Sequence, residues 1–188
     1  IVFFLFKEAG GLFNTPATEE GYVLAVNKSN DVGKLSPEKI MDIFDGNITN
    51  WKDISGMDQD ILIFRFSDLT NYYTEEELGD EFQYVPQKIS ELVAKEPGII
   101  AFFPKQYLLE KGFQGKVLPE EKITLGEFFG GTKWYPTSTP APIFGLIPLL
   151  LGTLLVSIGA IVLSLPFGIA VAIYMAEIAN KRTRDLLK

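Results

Sequence analysis

Five acidic residues crowd into seven positions, Glu75-Glu76-Glu77 with Asp80 and Glu81. Such a run has the charge to attract a cation. It lacks the spaced Asp/Asn/Gly loop that wraps calcium, so it reads as the solvated start of a helix. The 188 residues include no histidine and no cysteine. That removes the commonest general base and metal ligand, and with them disulfides and thiolate sites. A nucleophile would have to be serine beside lysine, or a carboxylate, and neither pattern occurs. No Gly-x-x-x-x-Gly-Lys-Ser/Thr loop is present, so ATP is not held here. Asn47-Ile48-Thr49 fits a glycosylation acceptor but carries little weight. No catalytic residue, metal site or cofactor is expected, and the chain reads as a non-enzyme.

The arrangement of charge is more telling than its total of −7. Between Lys133 and Glu177 there is no aspartate, glutamate, lysine or arginine. A bilayer core needs roughly 20 apolar residues in a helix, and the stretch from Ile143 to Ala176 exceeds that. Residues 15–142 carry 21 acidic and 12 basic residues, a net of −9. Residues 181–188 carry four basic and one acidic, a net of +3. Basic residues flanking a span favour the cytoplasmic side. The tail Lys181-Arg182-Thr183-Arg184 is therefore expected inside and the acidic domain outside. An acidic domain also argues against a nucleic-acid partner.

The elements that position these residues follow from pattern. Ile1 to Phe6 is apolar but too short to span. It reads as the outer end of a helix, or as a buried strand. Gly21 to Asn27 reads as a strand. Ser36-Pro37-Glu38 opens a helix with a hydroxyl cap, proline at the first position and an acid near the positive dipole end. Ile40, Ile43 and Phe44 form its apolar face. Ile61 to Phe66 reads as a second strand and Gly98 to Phe103 as a third. A helix through Ile89, Leu92 and Val93 lies between them. Pro104 to Glu110 suggests a short helix, and Lys116 to Leu118 a last strand. This alternation implies an α/β layer. Ile123 to Gly131 suggests a short amphipathic helix with Leu125, Phe128 and Phe129 on one side. Trp134-Tyr135 precedes the apolar stretch, where interfacial aromatics belong, and Pro136, Pro140 and Pro142 would keep this link extended. Inside the apolar stretch Gly152, Ser157, Gly159 and Ser164 suit packing against other membrane helices. A single anchoring helix with incidental glycines is the alternative.

Two resemblances sharpen this reading. Phe128-Phe129-Gly130-Gly131-Thr132-Lys133-Trp134-Tyr135-Pro136, Phe144-Gly145-Leu146-Ile147-Pro148-Leu149, Gly152-Thr153-Leu154 and Leu165 to Tyr174 resemble the C-type permease of Pst phosphate transporters, an inner-membrane ABC transport component. Ile1 to Glu8 is similar to the end of that family's first membrane helix. In the middle, Glu20 to Asn27, Leu35 to Trp51 and Glu96 to Phe102 resemble periplasmic phosphate-binding proteins, over the stretch typical of one lobe.

The resemblances imply a fragment with five parts. Residues 1–14 end a first membrane helix, and 15–122 form an α/β lobe like half of a type II periplasmic-binding protein. Residues 123–142 are an interfacial linker. Residues 143–179 are a proline-kinked transmembrane helix of a MetI-like ABC permease, and 180–188 a cytoplasmic basic segment. The intact protein would be a multi-pass component of a bacterial inner membrane, with residues 15–142 outside. Its implied partners are inorganic phosphate, a second permease subunit, a cytoplasmic ATPase subunit, a periplasmic phosphate-binding protein and the lipid membrane.

Oxyanion binding needs an arginine and a Ser-Gly-Thr type of turn at a helix N-terminus. Where the binding proteins place these, this chain has Arg65-Phe66-Ser67-Asp68-Leu69-Thr70. Arg65, Ser67, Asp68 and Thr70 are thus the candidate phosphate contacts. Both glycines of the family turn are absent, which hinders approach of backbone to anion. Ordinary turn residues, or a surface that docks or gates a separate binding protein, are the competing readings. For the whole chain the alternatives to a transport subunit are a membrane-anchored binding or sensory module, and a soluble α/β domain with a buried apolar hairpin.

Overall fold

The computed structural model describes residues 18–119 and 122–178. The expected helix end at 1–14 and the basic segment at 180–188 lie outside the described residues.

Strands β1 (Tyr22–Val26), β2 (Leu62–Arg65), β3 (Ile99–Pro104) and β4 (Lys116–Val117) form one mixed sheet in the order β2-β3-β1-β4. β2 runs parallel to β3, and β1 is antiparallel to both β3 and β4. Successive side chains of a strand point to opposite faces, and the sheet uses both. Val23, Ala25, Phe64, Ile99, Ala101 and Phe103 face one core. Leu24, Val26, Ile100 and Phe102 face the other. β3 is buried over five of its six residues, which explains its unbroken apolar run.

One helix layer covers each face. α1 (Pro37–Phe44) presents Ile40, Ile43 and Phe44 to the second core. Its cap is the expected one: Ser36 accepts a hydrogen bond from the Lys39 N–H at 3.5 Å. The first core is closed by α2 (Leu69–Tyr72), α3 (Glu75–Leu78) and α4 (Val85–Lys95). In α4, Val85, Ile89, Leu92 and Val93 recur at helical spacing. Each such fully buried side chain is worth roughly 1.5–3 kcal/mol relative to exposure.

Trp51 joins the loop after α1 to the sheet. It is fully buried, and its Nε1–H donates to the Gly98 carbonyl at 2.8 Å. Gly98 itself lies against the Asp60 carbonyl so closely that a Cβ would overlap it.

Two local expectations give way. Pro104 to Glu110 makes only one 3-10 turn, Lys105–Tyr107, because Leu108 takes an extended backbone and packs on the first core. The link before the apolar segment is not extended. β5 (Trp134–Tyr135) and β6 (Ile143–Phe144) pair as an antiparallel hairpin. Pro136, Pro140 and Pro142 fall in its connection, where no ladder N–H is needed. The Ser138 hydroxyl closes that connection, lying 2.9 Å from the Tyr135 carbonyl and 2.8 Å from that of Ala141.

Between β4 and the hairpin lies α5 (Leu125–Gly130), capped reciprocally by Thr124 and Glu127. After the hairpin comes α6 (Ile147–Ile173), continued by a π turn at Tyr174–Ile178. The apolar helix Ile147–Glu177 is 31 residues long, and none of its apolar window is buried. It is long and apolar enough to cross a membrane.

Candidate functional site

Ligands of open α/β sheets gather beyond the carboxyl ends of the parallel strands. Here that edge holds Arg65, the last residue of β2, beside Phe102 of β3. Around them the structure collects rings, of which only Phe44 stands out in the sequence, on the apolar face of α1. Tyr22 stacks on Phe102 at 4.7 Å, and Phe44 meets Phe102 edge-on at 6.1 Å. On the other face of the sheet Phe66 stacks on Tyr107 at 4.8 Å, against the first core. Strand register is the signal that could have found the first pair, since Tyr22 and Phe102 fall two positions apart on one face of adjacent strands.

Arg65 is held within this cluster. Its guanidinium lies 5.1 Å from the centre of the Phe44 ring. Its Nη2 donates to the Phe44 carbonyl, at the end of α1, at 3.0 Å. A cation there offsets the negative end of the helix dipole. The guanidinium is otherwise exposed, and its other N–H donors have no hydrogen-bond partner among the described residues.

The turn that follows is closed by a carboxylate. Asp68 Oδ2 accepts from the Arg65 backbone N–H at 3.1 Å, and Asp68 Oδ1 from the Ser67 hydroxyl at 3.3 Å. A carboxylate thus occupies donors that an incoming anion would need, and its charge opposes that anion. Thr70 is exposed on α2, a helix of only four residues. The structure therefore brings Arg65, Ser67 and Asp68 together and leaves Thr70 outside their hydrogen bonds. The acidic run sits in and just after α3. Glu77 accepts from the Thr74 N–H at 3.0 Å. That bond holds its carboxyl below the ordinary glutamate range; desolvation, next in size, pushes upward, and the Thr74 hydroxyl and the charge of Lys88 add smaller downward effects.

A second arrangement lies where the lobe meets the apolar helix. Leu146 N–H donates to the Phe128 carbonyl at 2.8 Å, Gly145 N–H to that of Lys133 at 2.8 Å, and Ile147 N–H to that of Gly131 at 3.3 Å. Gly131 and Gly145 cross backbone on backbone, and a Cβ on either would strike the other. α5 and the hairpin thus form a collar around the first turn of α6. The collar is fixed to the lobe in turn. Lys133 Nζ pairs with Asp42 Oδ1 of α1 at 3.2 Å. Ala141 is buried in the second core, and Glu19 N–H donates to the Pro140 carbonyl at 2.9 Å. A groove of about 380 Å³ separates Ser36 and Glu38 from Gly126, Gly130 and Phe144.

A model of the PBP superfamily domain matches residues 4–153. This chain belongs to that family. The PBP-superfamily match runs through the lobe and the collar into the first turns of α6. Two solved structures are similar in part. One is an ABC-type phosphate transport receptor from Vibrio cholerae, with 23% identity, a TM-score of 0.40, and coverage of 58% of this chain and 50% of that one. The other is described as a phosphate ABC transporter substrate-binding protein with bound phosphate, from Clostridium perfringens. It has 23% identity, a TM-score of 0.38, and coverage of 55% and 46%. The PBP-superfamily chain matches these over about half their lengths.

On α6, Gly152 and Gly159 have open space where a Cβ would be. Ser157 donates to the Thr153 carbonyl at 2.7 Å and Ser164 to that of Ile161 at 3.2 Å. Their hydroxyls are satisfied within their own helix, which lets them face lipid or another helix without an orphaned donor.

Proposed function

We propose that the chain is part of the permease subunit of an ATP-driven phosphate importer, with a PBP-type lobe fixed over the outer end of a membrane helix. The collar is the observation that carries this reading. A lobe on a loose linker could only tether. A lobe held by the Leu146–Phe128 and Gly145–Lys133 hydrogen bonds keeps a set position above the span. That suits docking or gating of a separate phosphate-loaded binding protein over the transport path. The permease-like string from Phe128 to Tyr174 supports the same role. α6 would pack, through Gly152, Ser157, Gly159 and Ser164, against further membrane helices of this subunit and of a second one. ATP hydrolysis would fall to a cytoplasmic subunit, and the location would be a bacterial inner membrane.

A second reading is a membrane-anchored module that binds phosphate itself. Arg65, with donors to spare at the carboxyl end of β2, favours it. Isothermal titration of phosphate into the full chain in nanodiscs separates the two, with Arg65→Ala as control. Docking predicts no phosphate heat, and saturable binding of the cognate phosphate-loaded binding protein. Saturable phosphate heat lost in a folded Arg65→Ala variant would replace docking with direct binding.

A further inference from the structure

The collar presents apolar side chains outward. Leu125 and Phe129 lie one turn apart on α5 and are 60% and 59% exposed, and Tyr135 of β5 is 59% exposed. Phe129 meets Phe128 edge-on at 5.3 Å, so the rings form one ridge. Large apolar side chains grouped on a surface, as Leu125 and Phe129 are on α5, are seldom left in water without a partner.

Their position indicates the partner. The last turn of α5 and the residue after it accept the N–H groups of Leu146 and Ile147, where the membrane helix begins. Whatever depth Ile147 takes, Phe128 to Gly131 take with it. From Ile147 to Glu177, where the first charge stands, the helix runs about 46 Å at 1.5 Å per residue. That matches a whole bilayer including its headgroup layers, about 40–45 Å, rather than the hydrocarbon core alone. Ile147, and the collar with it, then fall at headgroup level.

We propose that Leu125, Phe129 and Tyr135 dip into the headgroup layer of the outer leaflet, so that the lobe rests on the lipid surface through α5. The inference rests on α6 spanning the membrane. The contact is apolar, with the tyrosine hydroxyl at the wet boundary. It needs no anionic lipid, because the lobe is itself acidic and Lys133 is already paired with Asp42.

Tryptophan emission tests this on the full chain in phosphatidylcholine nanodiscs. Trp51 is fully buried in the lobe, so it supplies a constant background. Phe129→Trp in a Trp134→Phe background reports on the ridge. Leu155→Trp in the same background reports on the span. Lipids brominated near the top of the acyl chain are expected to quench both reporters, while aqueous acrylamide quenches Phe129→Trp much less than a free indole and Leu155→Trp not at all. Exchanging part of the lipid for an anionic one should change nothing. If acrylamide quenches Phe129→Trp as fully as a free indole while bromolipid quenches only Leu155→Trp, the ridge proposal fails and the span stands. If bromolipid quenches neither reporter, the span fails and the proposal with it. If neither quencher reaches Phe129→Trp, a protein surface covers the ridge and the proposal is overturned.

Discussion

Gly98 is a position where a single methyl group would do measurable harm. Its Cα faces the Asp60 carbonyl at a distance no side chain tolerates, and its own carbonyl holds the Trp51 indole. Gly98→Ala must therefore shift β3 or the 49–61 loop. Overpacking of this kind costs about 1–3 kcal/mol, to be read from denaturant unfolding followed through Trp51 emission. Glu77 allows a prediction about pH. Its carboxyl is held low chiefly by the Thr74 N–H. The charged carboxylate thus stabilises the fold above the ordinary glutamate pKa, and that contribution fades as pH falls through the lowered value. A carbon-13 titration of the Glu77 carboxyl should give a midpoint below the usual one, and a midpoint at or above it would refute the cap. The residue scale was the least legible in sequence. Arg65 was singled out by type and place. Its seat on the Phe44 ring, and the carboxylate of Asp68 in the turn, depend on contacts between segments that composition does not encode.

At the scale of elements the pattern was easier to read. β1 and β3 showed as apolar runs, and α1 showed through Ser36-Pro37-Glu38, because period and caps are local properties. The hairpin Trp134–Tyr135 with Ile143–Phe144 was missed for the same reason. Strands of two residues have no period, and three prolines suggested an extended link. The collar depends on Gly131 and Gly145 crossing without side chains. Gly145→Ala should loosen the collar while sparing the sheet. Hydrogen exchange is expected to speed up at Leu146 and Ile147 and to stay slow in β3. Equal acceleration in both would mean that collar and lobe unfold as one unit. Lys133→Ala is a milder change. Its pair with Asp42 is 43% and 29% exposed, so the loss should be no more than about 1 kcal/mol and smaller still at high salt.

For the whole molecule, the contrast between the acidic lobe and an uncharged helix was plain from the sequence. How the two are joined was not. A charge placed midway along α6 tests the span. Ile161→Arg should cost about 2.5–3.5 kcal/mol of insertion, seen as a shift of the chain from the alkali-resistant membrane fraction to the soluble one. Unchanged retention would argue against spanning.

The hydrogen bonds that fasten Leu146 and Gly145 to the collar also make the molecule a lever. A lobe of this size is about 30 Å across, and it pivots where α6 begins. With no slack at the pivot, a helix tilt of about 10° would carry the far edge of the lobe through about 5 Å by simple geometry over that span. In such a lever the separation of spin labels at Lys28 and near the inner end of α6 stays fixed, while the height of the Lys28 label above the bilayer surface changes with the tilt. A movement of the helix too small to open a path between lipids would then be large enough to be felt by a protein resting on top.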